Sequence, residues 1–138
     1  MDSTSVYHGS CLCSAIGFRI DGPIKAVSHC HCSQCRKAHG AAFASYGSVP
    51  GSTLTVSDPE AVMRVFESSP GVSRSFCSRC GANLFWNNAA GDFADWVSVA
   101  LGTLDTPFAP ERQKHVHVHS GLDWLGWPDR ESGTPLQG

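Results

Sequence analysis

Residues 76–81 read Phe76-Cys77-Ser78-Arg79-Cys80-Gly81. A C-x-x-C pair followed by glycine is a zinc knuckle by type. Both thiolates can face one ion, backbone N–H groups point at the sulfurs, and Gly81 permits the tight turn. A structural zinc takes four ligands, so this pair needs two more donors from elsewhere in the chain. Working outward, two further clusters come into view, Cys11-Leu12-Cys13 and Cys30-His31-Cys32-Ser33-Gln34-Cys35. No single cluster holds four cysteines, so they must combine across the chain.

Spacing leaves several combinations open. Cys11 and Cys13 stand two apart on an expected strand, which turns both side chains to one side. They make a natural pair to meet Cys77 and Cys80 and complete four thiolates. The middle cluster then has three of its own, because Cys30 and Cys32 share an expected strand face and Cys35 follows within a turn. Three protein donors leave a position vacant, as catalytic zinc sites do. His39 is a candidate to close that site, since Cys35 and His39 lie four apart and would share a helical face. His29 and His31 alternate with the cysteines and are expected to face the other way.

Bulk properties narrow the setting. The chain has 138 residues, of which 41% are apolar and 16% charged, enough for one compact domain spanning residues 1–138 with its core at about 7–125. A net charge of −2 gives no reason to expect nucleic acid or an anionic membrane as a partner. No apolar run approaches the roughly 20 residues of a membrane span. The first eight residues lack the basic and apolar blocks of a secretory signal, so a cytoplasmic location is expected. Seven cysteines cannot all pair within one chain, and a reducing cytosol disfavours disulfides. Tight clustering favours metal ligands over scattered buried thiols.

The remaining pattern is mostly β. Residues 15–20 alternate with Ile16, Phe18 and Ile20 on one face. Extended segments are expected at 27–32, 42–49, 61–66, 73–76, 83–86, 96–101 and 114–119, with a short helix at 33–39. Gly, Pro, Ser and Asp punctuate the gaps, for example Asp21-Gly22-Pro23 and Ser69-Pro70-Gly71. Short strands with frequent turn signals suggest a sandwich or a folded-over sheet. His115, His117 and His119 alternate and are expected on one strand face, which could bind a metal but is read as an exposed polar face outside the zinc assignment. Trp124 and Trp127 are expected to pack, and the tail beyond Trp127 to be loose.

Zinc with three thiolates carries a net charge of −1, so it acidifies water weakly and is better suited to binding an incoming thiol as a thiolate. Arg36 and Lys37 follow Cys35 directly. They can offset the accumulated charge or hold a substrate carboxylate; otherwise they are solvated residues of a short helix.

The segments Gly9-Ser10-Cys11-Leu12-Cys13, His29-Cys30-His31-Cys32-Ser33-Gln34-Cys35-Arg36-Lys37 and Phe76-Cys77-Ser78-Arg79-Cys80-Gly81 resemble the glutathione-dependent formaldehyde-activating enzyme family, which includes centromere protein V-like members. The match is ordered and extends to Glu67-Ser68-Ser69-Pro70-Gly71, Leu84-Phe85-Trp86, Leu101-Gly102-Thr103-Leu104-Asp105 and a closing segment at 115–124. The resemblance implies a mainly β, Mss4-like domain, a folded-over sheet stapled by two zinc ions. It implies that Cys11, Cys13, Cys77 and Cys80 form the structural site, and that Cys30, Cys32 and Cys35 hold a second zinc where glutathione acts. One departure is Ser14, where the family usually has glycine. A second is at His117 and His119, where it has an aromatic and a small or polar residue.

Two functions follow as expectations. One is a carbon–sulfur lyase-type enzyme that joins glutathione or a related thiol to formaldehyde, as an S-(hydroxymethyl)glutathione synthase does, in a monomer or homodimer. The other is a non-catalytic zinc module that carries or senses a thiol, or docks to another protein. A structural zinc site contributes on the order of 10–16 kcal/mol, against a net domain stability of about 5–15 kcal/mol. Cys77→Ser or Cys80→Ser is therefore expected to abolish soluble folding, read as loss of soluble protein and of the folded circular dichroism spectrum. A well-folded Cys80→Ser protein carrying its full zinc complement refutes the closed-site assignment.

Overall fold

Ile16, Phe18 and Ile20 turn to the same side of the chain and are buried almost completely. Around them the computed structural model, which describes residues 5–125, builds two sheets and one short helix. In the smaller sheet, strands β1 (Val6–Ser10), β2 (Gly17–Asp21) and β5 (Leu54–Ser57) pair antiparallel in the order β1-β2-β5. The larger sheet uses β3 (Lys25–Cys30), β4 (Ala44–Pro50), β6 (Met63–Ser69), β7 (Val72–Cys77), β8 (Asn83–Asn88), β9 (Trp96–Ala100) and β10 (Gln113–Val116). Its order is β10-β3-β4-β9-β8-β7-β6, antiparallel throughout except for the parallel β10/β3 edge. Helix α1 (Ser33–His39) follows β3 directly and ends on Gly40. The chain is thus mainly β, with one sheet folded over another. Among the described residues no helix is long and apolar enough to cross a membrane.

Alternation assigns the two faces of the large sheet different work. Val49, Val99 and Phe85 pack against Ile16 and against Phe18 and Ile20 of the small sheet, with Leu84 joining them where the β7/β8 register shifts, and Phe18 meets Phe85 edge to face at 5.3 Å. The opposite face carries Tyr46 and Ser48 on β4, Ser98 on β9, Trp86 on β8 and Arg74 on β7. Ladder register places Ser48, Ser98, Trp86 and Arg74 in a single cross-strand row. That second face is where the chemistry lies.

Most expected segments occur within a few residues of their predicted bounds. Strands β1 and β5 were not foreseen, because each is short and half-exposed. The segment at 114–119 differs most. Strand β10 stops at Val116, His117 adopts a left-handed φ of 57°, and a 3-10 turn follows at Val118–Ser120. The three imidazoles therefore do not share a strand face. His115 is buried, its ring 4.8–4.9 Å from those of His29 and His31, and its Nδ1 is 2.6 Å from His31 Nε2. Trp124 is exposed rather than packed; Trp127 and the tail lie outside the described residues.

Strand β1 is held from behind by the 101–105 segment. His8 O accepts from Asp105 N at 2.8 Å, and the Ser10 hydroxyl donates to Asp105 Oδ2 at 2.6 Å. Gly9, one residue further in, lies flat under the Phe18 ring. A Cβ there would stand 2.1 Å from Phe18 Cζ. Gly9→Ala must displace that ring from the core, and overpacking of this kind costs about 1–3 kcal/mol. Chemical denaturation is expected to show a loss of that size, and an unchanged midpoint would contradict the packing described.

Candidate metal centres

The fold collects the cysteines into two groups. Among the described residues, the sulfurs of Cys11, Cys13, Cys77 and Cys80 lie within 4.8 Å of one another, and so do those of Cys30, Cys32 and Cys35. All seven are free thiols. The pairing of the first and last clusters anticipated from spacing is the one the fold makes, though by different local means. Cys11 and Cys13 are not on a strand: β1 ends at Ser10, and a turn presents both sulfurs. Ser14 in that turn has a left-handed φ of 67°. Glycine adopts that conformation freely and serine at some cost, so the departure at Ser14 is a strained turn that leaves the sulfurs in place.

In the four-thiol group, Cys11 Sγ lies 3.7 Å from Cys13 Sγ, which is 3.8 Å from Cys77 Sγ. Zinc–sulfur bonds of about 2.3 Å in a tetrahedron set sulfurs about 3.8 Å apart, so the donors present fit the ion. Backbone N–H groups also reach the sulfurs, Ile16 N to Cys11 at 3.3 Å and Cys80 N to Cys77 at 3.4 Å. Gly81, with φ of 81°, makes the tight turn, its N–H bonded to Cys77 O. The Ala82 N–H and neighbouring thiols draw Cys80 down to about 6. Cys13, despite the Ala15 N–H beside it, is pushed up to about 11 by desolvation and by the thiols around it.

The three-thiol group straddles the junction of β3 and α1. Cys30 closes the strand and Cys35 sits on the helix. Cys32 is the helix N-cap, its sulfur accepting from Cys35 N at 3.4 Å. Cys30 donates to Cys35 and is driven far above the ordinary thiol range. Cys35 falls to about 5, chiefly through that hydrogen bond, against the cost of burial and with help from Arg74. The group forms one wall of a cavity of about 260 Å³ that also meets Tyr46, Ser69, Arg74, Trp86 and His117.

Arg74 is the residue that sequence reasoning missed. It is 6% exposed. Its Nε donates to Ser68 Oγ at 2.9 Å, Nη1 to the Tyr46 hydroxyl oxygen at 3.3 Å, and Nη2 to Cys35 Sγ at 3.7 Å. A fixed guanidinium thus stands beside the three-thiol group, in contact with Cys35. Arg36 and Lys37 are placed otherwise: Arg36 Nε donates to His31 O at 3.1 Å, and Lys37 is exposed. One signal was available, a lone arginine at an inward-facing position in Val72-Ser73-Arg74-Ser75-Phe76. His39 belongs to neither group of sulfurs, and its Nε2 lies 2.9 Å from the Tyr46 hydroxyl. Burial holds that imidazole below its usual pKa.

A folded-over β domain whose distant cysteines pool into a four-thiol and a three-thiol group defines a class of proteins with thiol clusters able to hold metal ions. Within it, the chain belongs to the glutathione-dependent formaldehyde-activating enzyme family, whose model matches residues 6–120. It is 33% identical to a Halomonas elongata protein that carries the name of a glutathione-dependent formaldehyde-activating enzyme, over 94% of this chain and 86% of that one. It is 32% identical to an uncharacterised lyase of Schizosaccharomyces pombe over 58% of this chain and 56% of the relative. The crystal structure of a Rhodobacter sphaeroides protein shares the fold, with a TM-score of 0.57 at 18% identity, covering 73% of this chain and 90% of the other.

With its pKa drawn down to about 5, Cys35 ionises at acidic pH, whereas an ordinary cysteine does so near about 8.5. Alkylation of protein that keeps an ion at the four-thiol group but none at the three-thiol group, followed site by site by mass spectrometry, is expected to rise through about pH 5 at Cys35. Arg74→Met removes one of the groups favouring the thiolate and moves that midpoint upward. A profile indifferent to Arg74→Met contradicts the contact.

Proposed function

We propose that this chain is a carbon–sulfur lyase-type enzyme that joins glutathione, or a closely related thiol, to formaldehyde and runs the reverse cleavage. The observation that carries the reading is the Cys30, Cys32 and Cys35 trio forming one wall of a cavity beside a buried arginine. Family membership and the names of the relatives support the same reaction class.

Cys11, Cys13, Cys77 and Cys80 hold a structural zinc in this reading, and Cys30, Cys32 and Cys35 hold a second. That second ion, when bound, offers a position to an outside sulfur and the charge that keeps it ionised. The chain's own residues do the rest. Arg74 brings the three thiolates toward charge balance from inside the sheet, so the compensation does not depend on solvent-screened side chains. Ser68 and Tyr46 fix the guanidinium's orientation. The cavity holds thiol and carbonyl together, which removes the entropic cost of their encounter. The thiol sulfur bonds to the carbonyl carbon, the C=O π pair moves to oxygen, and the proton given up by the thiol ends there, yielding the S-hydroxymethyl adduct. The free thiols are in keeping with a reducing cytoplasm.

Exchange NMR of glutathione and formaldehyde measures the adduct rate with and without protein. Zinc-loaded protein is expected to raise it above the buffer background. Cys35→Ser is expected to return it to background and lose one of two zinc ions. Arg74→Met is expected to lower it by roughly 10- to 100-fold. A background rate in the presence of intact protein that still binds glutathione identifies a thiol carrier instead. Full activity in Cys35→Ser refutes the site.

A further inference from the structure

The same face of the large sheet carries a second cavity, of about 290 Å³, lined by Trp86, Phe93, Trp96, Ser48, Ser98 and Lys25. Trp86 and Ser98 belong to the walls of both cavities, so the two lie side by side. Register explains the adjacency. Ser48, Ser98, Trp86 and Arg74 form one row across β4, β9, β8 and β7, and Trp96 lies two residues from Ser98 on the same side of β9. A ligand whose reacting atom faces the thiol trio can therefore extend over Trp86 without leaving the sheet face. Phe93, on the connection between β8 and β9, is 73% exposed although its side chain lines this cavity. Covering it would remove apolar surface from water.

Formaldehyde, one carbon and one oxygen, uses none of this space. The tripeptide thiol, with charged ends, finds one cation here, Lys25, and two hydroxyls among three aromatic rings. Aromatic walls of this kind hold an apolar or aromatic body by stacking and edge contacts.

Building on the thiol-addition reading above, we propose that the second cavity is a subsite for the aldehyde's substituent. The chain then acts on thiol adducts of aldehydes bearing an apolar, ring-sized group held among Trp86, Trp96 and Phe93. The reaction keeps its balance. The C–S bond forms, the C=O π bond breaks, and the thiol proton ends on the oxygen of the substituted adduct.

Two stable thioethers separate the subsite from the reaction. Calorimetric titration of the zinc-loaded full chain is expected to show S-benzylglutathione binding at least tenfold more tightly than S-methylglutathione. Phe93→Ala, a substitution at an exposed position, and Trp96→Ala are each expected to abolish the difference. Phe66→Ala, exposed on β6 and outside both cavities, is expected to leave it. In parallel, Phe93→Ala is expected to slow adduct formation with phenylacetaldehyde and spare that with formaldehyde. Equal binding of the two thioethers overturns the subsite, as does an equal weakening of both by Phe93→Ala, which would mean that glutathione itself fills the cavity. A benzyl preference lost in Phe93→Ala without acceleration of either aldehyde upholds the subsite and refutes the reaction. Acceleration of formaldehyde addition without a benzyl preference refutes the subsite alone.

Discussion

Sulfurs brought within 4.8 Å of one another cannot all carry charge unless a cation stands among them. The rest of this structure is arranged around that electrostatic constraint. In both thiol groups hydrogen bonds and burial push neighbouring cysteines in opposite directions, Cys80 down and Cys13 up, Cys35 down and Cys30 up. A divalent ion bound there would relieve the repulsion and tie together segments far apart in the chain. The turn after β1 is joined to the knuckle after β7, which closes the small sheet against the large one. With such an ion bound, folding and metal binding would become one equilibrium.

The two groups differ in what surrounds them. The four-thiol group is served by backbone N–H donors, Gly81 and the Ser14 turn, all local devices for holding sulfurs still. The three-thiol group is served by a side chain from a distant strand. Arg74 reaches Cys35 across the sheet and is itself held by Ser68 and Tyr46. A buried guanidinium is costly unless its donors are met, and here all three nitrogens are. Charge compensation from Arg36 or Lys37, at the surface, would be weakened by solvent and salt. The 67–71 segment acquires a role from this arrangement, because its Ser68 anchors the arginine.

Sheet geometry links the site to its neighbours. One face of the large sheet is spent on the core with Ile16, Phe18 and Ile20. The other carries a row of side chains from four strands, so the thiol cavity and the aromatic cavity share a floor. Pairing of β10 with β3 completes the edge near Cys30, and the His29, His31 and His115 rings pack where those strands meet. Those imidazoles face away from the sulfurs, as their alternation with Cys30 and Cys32 implies.

By itself the sequence determined the short-range features: seven clustered cysteines, the knuckle at 77–81, the helix at 33–39, and alternating strands that require a mainly β fold. Each depends on residues a few positions apart, where spacing and side-chain direction suffice. Only the tertiary structure decided that the Cys11 and Cys13 pair is presented by a turn, that Arg74 reaches Cys35 from a distant strand, and that His39 turns to Tyr46. It also decided that the 115–119 histidines leave the strand at His117 and that Trp86 joins two cavities. Those outcomes depend on sheet register and burial, which bring residues together from tens of positions apart, and no local pattern records which strand lies beside which.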